Sequence, residues 1–184
     1  MNIQYFTTTI RFRILLKAYR NWIKNGDRII DVGCGNGIIT KLVEDYFQDD
    51  ITACDINNYL IYILPFINLR EKNLSSMKRK FDVAMLNDVL HHIPKEVQEK
   101  LLLDCLKITN KVLIFEAEPT LFGKVADIIL NKHHYNSLDV PLSFRKINEW
   151  QDMFKKLHLK SDFIKIKRPF WYPFSHIAFF IEKI

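Results

Sequence analysis

The 184-residue sequence is poor in the residues that mark fibrous, disordered or cross-linked proteins. It holds 5 glycines, 6 prolines and 3 cysteines, whereas hydrophobic residues make up 48% of it and charged residues 26%. This composition excludes a collagen-like chain, a disordered chain and a disulfide-dense scaffold. The length favours a single domain over residues 1–184, which can bury a core without help from metals or disulfides.

Two further absences bear on location and on metals. The cysteines Cys34, Cys54 and Cys105 lack the paired spacing of a zinc site, so we expect reduced thiols and no metal site. No run approaches the roughly 20 apolar residues that a membrane-spanning helix requires. The apolar run at residues 14–16 is too short for the core of a signal peptide. We therefore expect a cytoplasmic protein.

Positive charge is concentrated at the two ends. The whole chain carries +6, residues 1–28 and 141–184 carry +5 each, and residues 29–140 carry −4. Arg13, Lys17, Arg20 and Lys24 recur at a spacing of three to four within a helix predicted over 8–24. Such a face suits an acidic acceptor, a phosphate backbone or an anionic membrane surface, and a merely solvated helix face is the alternative.

Short apolar runs alternate with segments of helical period along the chain. Strands are predicted at 28–32, 51–55, 72–74, 81–86, 111–116, 161–167 and 176–182, and helices at 8–24, 36–47, 57–69, 94–107, 121–131 and 147–157. This alternation predicts an α/β fold, in which a mostly parallel sheet has helices on both faces. The last two strands, joined by a turn rich in aromatic residues, are expected to form an antiparallel hairpin.

The sharpest motif is DVGCGNG, from Asp31 to Gly37, between a predicted strand and a predicted helix. Glycines let the backbone turn sharply and approach a ligand, and the helix N-terminus offers free N–H groups to an anion. The spacing is G-x-G-x-G rather than the G-x-G-x-x-G of a dinucleotide fold. Asp55 ends the next predicted strand, 22 residues after Gly33, where a carboxylate can accept both hydroxyls of a ribose.

Together these residues resemble the class I S-adenosylmethionine-dependent methyltransferases, and specifically their small-molecule, type 11-like members. The similarity extends to FDVAMLNDVLHHIP after residue 80 and to KVLIFEAEP from residue 111, and so covers nearly the whole chain. It implies a Rossmann-like sheet of seven strands and S-adenosylmethionine as cofactor. The cofactor-binding residues that it implies are Asp31, Gly33, Cys34, Gly35, Gly37, Asp55, Ile56, Asn73, Leu74, Leu86 and Asn87.

In the resemblance, the glycine loop lines the methionine and ribose, Asp55 holds the ribose, Ile56 packs on adenine, and Asn87 lies beside the amino group of the cofactor. One position departs from the family. After the third strand the family usually has an acid that binds the adenine amine, but this chain has Asn73-Leu74-Ser75. The carbonyl of Asn73 or the backbone would have to accept that hydrogen bond.

Methyl transfer from a sulfonium is an in-line displacement, which mainly needs alignment of the acceptor and exclusion of water. A general base helps when the acceptor is a hydroxyl or a carbon acid, and histidine titrates in the right range. The candidates are His91 and His92 after the fourth strand, and His133 and His134 in a polar stretch further on. The alternative is that these histidines are packed or solvated residues without a catalytic role.

The chain lacks the Asn/Asp-Pro-Pro-Tyr and Pro-Cys motifs of several nucleic-acid and protein methyltransferases. We therefore expect a small acceptor that is acidic or partly apolar.

Residues 1–26 would form a lid helix, 27–118 the cofactor-binding core, and 119–184 the acceptor side. The aromatic turn at 168–174 could wall an apolar pocket, join two copies or touch a membrane surface. Methylation of RNA or protein, and a non-catalytic cofactor-binding subunit that supports a partner, remain as alternatives.

Overall fold

The structure, a computed structural model, describes residues 3–78, 81–120, 142–167, 169, 172 and 174–184. Within these ranges, the helices are α1 (Ile3–Tyr19), α2 (Ile38–Phe47), α3 (Lys95–Ile108) and α4 (Ile147–Lys156). The strands are β1 (Ile29–Val32), β2 (Ile51–Asp55), β3 (Phe66–Asn68), β4 (Val83–Asn87), β5 (Lys111–Ala117), β6 (Leu159–Ile166) and β7 (His176–Lys183).

The seven strands form one sheet in the order β3-β2-β1-β4-β5-β7-β6. The first five are parallel to one another, while β7 is antiparallel to both β5 and β6. The predicted Rossmann-like sheet of seven strands with a C-terminal antiparallel hairpin is thereby confirmed. Strand order reverses beside β1, and in open α/β sheets ligands bind at such a point, outside the carboxyl ends of the strands.

Each face of the sheet is covered by helices, because successive side chains of a strand point to opposite sides. On one side, Leu86 and Ile114 pack with Leu102 of α3 and Trp150 of α4. On the other side, side chains of β4 and β5 pack with residues of α1 and α2 that include Leu15 and Val43. All four residues of β1 are buried, as expected for a central parallel strand.

The segment between β2 and β3 differs from the prediction. Residues 57–69 are not a helix, and the third strand lies at Phe66–Asn68 rather than at 72–74. Asn57 donates its side-chain N–H to the Tyr59 hydroxyl, and the Asn58 side chain accepts from the Leu60 N–H. Asparagine side chains that bond nearby backbone compete with helix formation, and proline at residue 65 further disfavours it. The predicted strand at 72–74 is replaced by a 3-10 turn at Leu74–Ser76.

The N-terminal helix also differs, since α1 ends at Tyr19 instead of residue 24. Arg20 and Lys24 therefore lie beyond it, and they do not continue the basic face of Arg13 and Lys17. The remaining described elements begin and end within three residues of their predicted bounds. The helix predicted at 121–131 lies outside the described residues.

Two expectations, that no helix spans a membrane and that the cysteines are unpaired, can be compared with the described residues. None of the described helices has the length and the apolar character needed to cross a membrane. The three cysteines are free thiols in buried positions.

Candidate active site

The loop after β1 carries three glycines with left-handed backbone, at φ values of 78° for Gly33, 53° for Gly35 and 75° for Gly37. Residues with a Cβ rarely adopt this conformation. At Gly33 a Cβ would also collide with the side chain of Val89, and at Gly37 it would meet Leu60. The loop therefore needs glycine, and its backbone runs close to the end of β4.

Asp55 holds this loop from the end of β2. Its Oδ2 accepts a hydrogen bond from the Gly35 N–H at 2.9 Å, and its Oδ1 accepts one from the Ile56 N–H at 2.7 Å. Burial raises the pKa of this carboxyl, although the backbone N–H groups oppose the rise. The structure thus brings Asp55 and the glycine loop together, as the spacing of the two motifs predicts.

Asp31 and Asn87 belong to a buried hydrogen-bond chain across the sheet. Asp31 accepts from the Thr40 hydroxyl at 2.6 Å and from the Asn87 side-chain N–H at 3.3 Å. The Tyr19 hydroxyl donates to the Asn87 oxygen at 2.7 Å. Burial raises the pKa of Asp31 to about 6, although these donors oppose the rise. These hydrogen bonds link α1, β1, α2 and β4 next to the glycine loop.

The residues proposed to contact the adenine differ in how far their side chains are exposed to solvent. Ile56 is 48% exposed and is available to a ring, whereas Leu74 is 4% exposed and packs in the core. The Asn73 oxygen accepts from both the N–H and the hydroxyl of Ser75. Its carbonyl therefore faces its own turn, which favours the backbone as the partner of an adenine amine. Asn73 and Leu74 also line a cleft of about 470 Å³ against α3.

Cys34 is a buried thiol in the middle of the glycine loop. Burial raises its pKa, and the nearby acids Asp31 and Asp55 add to the rise. The thiol therefore stays protonated and unreactive at neutral pH.

The turn after β4 places His91 against the end of β5. His91 is buried, and its Nδ1 lies 2.5 Å from Glu116 Oε2. The other oxygen of Glu116 accepts the N–H groups of Val89 at 3.0 Å and Leu90 at 2.7 Å. Phe144 stacks on the His91 ring, with centroids 4.7 Å apart and planes within 5°.

His92 is half-buried, and its ring centroid lies 4.0 Å from that of His91. The structure thus brings these two candidate histidines together at the carboxyl edge of the sheet. His133 and His134 lie outside the described residues.

Gln98 of α3 fixes the turn that carries both histidines. Its side-chain N–H groups donate to the carbonyls of Leu90, Ile93 and Ser143 at 2.8 to 3.0 Å. Its oxygen accepts from Arg145 Nε at 2.6 Å. Each polar atom of this buried amide is therefore satisfied, and the turn is pinned to α3.

A second charged group lies beside His91. Asp88 follows β4 in a left-handed conformation, at φ 51°, and its N–H donates to the Phe115 carbonyl. Its Oδ2 lies 3.2 Å from Arg11 Nη1, and its Oδ1 lies 3.4 Å from Nε2 of the buried His176. Burial raises the pKa of Asp88, but His176 and Arg11 outweigh it and hold the pKa below its usual range.

Four residues of this cluster are not among those predicted from the sequence: Arg11, Asp88, Glu116 and His176. Asp88 and Glu116 could have been found, because both are acids at the ends of predicted parallel strands, where ligands bind. His176 could not, since its place beside β5 follows from the antiparallel pairing of Ala117 with His176. Arg11 depends on how α1 packs over the sheet.

Comparison with known proteins gives a family and a fold. A family described as a methyltransferase domain matches residues 5–161. A ribosomal protein L11 methyltransferase of Caldicellulosiruptor bescii is 23% identical over 146 residues, which are 74% of this chain and 46% of that protein. The chain thus spans less than half the length of this curated relative.

Two solved structures have the same fold. The magnesium protoporphyrin IX methyltransferase of Synechocystis, solved with bound S-adenosylhomocysteine, has a TM-score of 0.64 at 15% identity and covers 97% of this chain and 84% of its own. A Haloferax volcanii protein solved in complex with a methyltransferase activator has a TM-score of 0.70 at 11% identity, covering 98% and 94%. At these identities the likeness is one of fold.

Proposed function

The chain belongs to the methyltransferase-domain family, and from that premise we propose that it methylates a small acceptor with S-adenosylmethionine as cofactor. The observation that carries the proposal is the hydrogen bond between Asp55 and the Gly35 N–H. It sets a carboxylate beside a left-handed glycine loop whose backbone N–H groups a ligand can approach. A ribose and an amino acid moiety fit these two features.

The residues present suit this cofactor. We assign the ribose hydroxyls to Asp55 and one face of the adenine to Ile56, whose side chain is exposed beside Asp55. The backbone of Gly33 and Gly35 would line the methionine end. The Asp31–Asn87 hydrogen bond holds the ends of β1 and β4 in register beneath it. When bound, the cofactor supplies a methyl group on a sulfonium, whose sulfur keeps the electron pair of the broken bond.

We place the acceptor over the carboxyl ends of β4 and β5. In the structure α1 covers this edge, because Arg11 pairs with Asp88 just after β4. A covered and charged edge suits a small acceptor better than a folded macromolecule. We accordingly assign residues 1–26 to the lid, 27–118 to the cofactor core and 119–184 to the acceptor side.

Acceptor activation is assigned to His91. Glu116 orients its ring through Nδ1, and Phe144 holds the plane of the ring. His92, which is next to it, would contact the same acceptor. Such a transfer would form the bond from the acceptor atom to the methyl carbon as the sulfur–carbon bond breaks. The acceptor proton leaves from the side on which His91 lies.

An acidic acceptor is favoured by the way the two basic ends meet. Lys17 Nζ donates to the Lys167 carbonyl at 2.6 Å, which joins α1 to the segment after β6. Arg13 is exposed on α1, and Lys165 is exposed near the end of β6. Positive charge from α1 and from the end of β6 therefore lies close together and can steer an anion towards this part of the surface.

A protein acceptor is the second candidate, because the curated relatives bear the name ribosomal protein L11 methyltransferase. Dependence on a partner protein, including a supporting role beside a catalytic partner, is a third candidate, since one protein of this fold was solved with a methyltransferase activator. A folded protein acceptor would require the acceptor edge to open.

The test is calorimetric titration of S-adenosylhomocysteine into the wild-type chain and into Asp55→Ala. We expect the variant to bind roughly 10- to 100-fold more weakly, since a hydrogen bond to a charged group contributes about 1.5–3 kcal/mol. Asp152→Ala, which removes an exposed acid of α4, is the matched control and should bind normally. Equal binding by wild type and Asp55→Ala would contradict the assignment.

Acceptor class is tested with methyl-tritiated S-adenosylmethionine and a panel of phenols, carboxylic acids and amines, alongside isolated ribosomal protein L11. Label in a small product supports the proposal, and label in the protein supports the second candidate. No label in any acceptor, despite cofactor binding, would favour the supporting role.

A further inference from the structure

We propose that Asp88, His91 and Glu116 form a binding site for a divalent metal ion at the carboxyl edge of β4 and β5. One potential ligand atom from each residue lies within 4.8 Å of those of the other two. The set combines two carboxylates with one imidazole. Cysteine spacing in the sequence predicts no metal site, but a site of carboxylates and imidazole needs no cysteine.

One oxygen of each carboxylate is anchored, and the other faces a histidine nitrogen, where a bound ion would replace the proton that Glu116 and His91 share. Glu116 Oε1 accepts the N–H groups of Val89 and Leu90, while Oε2 is directed at the His91 ring. Asp88 Oδ2 faces Arg11. Partners of this kind orient the ligands of a metal site and stabilise it.

Asp88 Oδ1 is the atom that points to a missing ligand. It is buried, and it accepts no hydrogen bond from the residues that the structure describes. His176 Nε2 lies within ion-pair distance of it, at 3.4 Å, but without the geometry of a hydrogen bond. A buried carboxylate oxygen normally has a short polar contact, and a metal ion bound there would supply one.

The backbone of the site is held in advance of any ligand. Asp88 keeps a left-handed conformation, which is rare for a residue other than glycine and recurs at functional sites. The turn that carries His91 is pinned by Gln98, and the His91 ring is fixed by Phe144. Little has to be ordered when an ion binds.

The charge and the donor types define the class of ion. Asp88 and Glu116 together carry two negative charges, and Arg11 offsets one of them. While His91 and His176 are neutral, one negative charge remains to attract a cation. Two carboxylate oxygens and an imidazole nitrogen suit Mn²⁺, Fe²⁺ or Zn²⁺ better than Ca²⁺, which prefers oxygen alone.

For the acceptor step, which rests on the proposed function, the site specifies how His91 acts. As a ligand of the ion, it would help to activate an acceptor hydroxyl, since a bound divalent ion lowers the pKa of an oxygen that it holds. The hydroxyl proton goes to solvent, the oxygen–methyl bond forms, and the electron pair of the sulfur–carbon bond stays with sulfur. The acceptor class is therefore a hydroxyl compound.

The experiment is a titration of the metal-free full-length chain with Mn²⁺, followed by the loss of the free-ion signal in electron paramagnetic resonance, with Zn²⁺ added as a competitor. We expect one Mn²⁺ per chain, displaced by Zn²⁺. Asp88→Asn and Glu116→Gln, which keep the side-chain shapes, should each weaken binding by roughly 10- to 100-fold. Asp104→Asn is the control, because that buried acid of α3 pairs with Lys100 and Lys107 instead.

Absence of stoichiometric Mn²⁺ and Zn²⁺ binding by the wild-type chain would overturn the proposal, whether or not the variants fold. Unchanged binding by both folded variants, checked by circular dichroism, would overturn it as well. Titration with S-adenosylhomocysteine separates this result from the proposed function. Loss of metal binding with cofactor binding intact refutes the metal site alone, and the reverse pattern refutes the cofactor assignment alone.

Discussion

The guanidinium of Arg11 reaches from the first helix to the carboxylate of Asp88 at the end of β4, with Nη1 3.2 Å from Oδ2. The contact spans 77 positions in the sequence and closes α1 over the edge where the cofactor and acceptor are proposed to bind. The Arg11 side chain is 37% exposed and that of Asp88 is 12% exposed. Breaking the pair would therefore destabilise the protein mainly because the more buried carboxylate, that of Asp88, loses a charged partner.

Arg11→Ala should lower the free energy of unfolding by about 1–2 kcal/mol at pH 7, a value reduced from that of a fully buried pair because water screens Arg11. Because the pKa of Asp88 is lowered in the folded state, its stabilising contribution is present above an unfolded pKa of about 3.9 and is lost as the pH falls. The cost of the substitution should shrink below about pH 4. Urea unfolding at several pH values measures both the change in unfolding free energy and its dependence on pH. Arg13→Ala is the exposed control on the same helix.

Gly33→Ala and Gly26→Ala separate backbone strain from steric collision. Both glycines are left-handed, with φ of 78° and 86°, but an added Cβ at Gly33 collides with Val89 and one at Gly26 meets open space. We expect Gly26→Ala to cost about 1 kcal/mol and Gly33→Ala about 2–4 kcal/mol. Thermal unfolding and titration of S-adenosylhomocysteine compare the two. Weakened cofactor binding by Gly26→Ala but not by Gly33→Ala would contradict the assignment of the loop.

Asp31 should make the fold less stable as the pH rises from about 4 to about 6. Burial raises its pKa to about 6, so the folded state holds the proton more tightly than the unfolded state does. Its contribution is fully present below an unfolded pKa of about 3.9 and is lost as the pH passes the folded value. Relative to Asp31→Asn, the wild type should lose up to about 3 kcal/mol over this window.

Urea unfolding at about pH 4, 5, 6 and 7 tests this prediction. Asp152→Asn, at an exposed position of α4, should keep the full pH dependence of the wild type. Parallel profiles for the wild type and Asp31→Asn would show that Asp31 is already ionised in the folded state at low pH.

Gln98→Ala should lower the free energy of unfolding by about 2–3 kcal/mol, because it leaves the carbonyls of Ile93 and Ser143 without their side-chain donor. Faster amide hydrogen exchange should be confined to the turn at 90–92 and to its neighbour at 143–145. Gln151→Ala removes an exposed glutamine from α4 and should change neither measurement. An unaltered exchange rate at the turn would mean that Gln98 does not pin it.

The strands that sequence reasoning locates are those with a clear local signal. β1 is an apolar run that stops at glycines, and its burial is complete. β3 carries no such signal, because its three residues are all partly exposed and follow a proline. The apolar residues that suggest a helix after β2 include Ile61 and Ile63, and both are exposed in the structure. Here the local bonds of the asparagine side chains outweigh apolar spacing.

The glycine loop and Asp55 can be predicted from sequence because strand ends and glycines have fixed relative positions in a parallel sheet. The cluster around Asp88 cannot be predicted in the same way. It depends on β7 running antiparallel to β5, which brings His176 opposite Ala117, and on α1 lying over the sheet. These are relationships between segments far apart in the chain.

The position of β7 has a consequence for how the polypeptide folds. It is the last of the seven strands to be synthesised, yet it lies between β5 and β6 and pairs with both. Until β7 has left the ribosome, a nascent chain exposes an unpaired edge on β5, and β6 has no place in the sheet. Such edges are sites of aggregation, and long-range pairings form slowly. A chaperone that shields the open edge of β5 should therefore matter more to this protein than to one whose strands pair in the order of their synthesis.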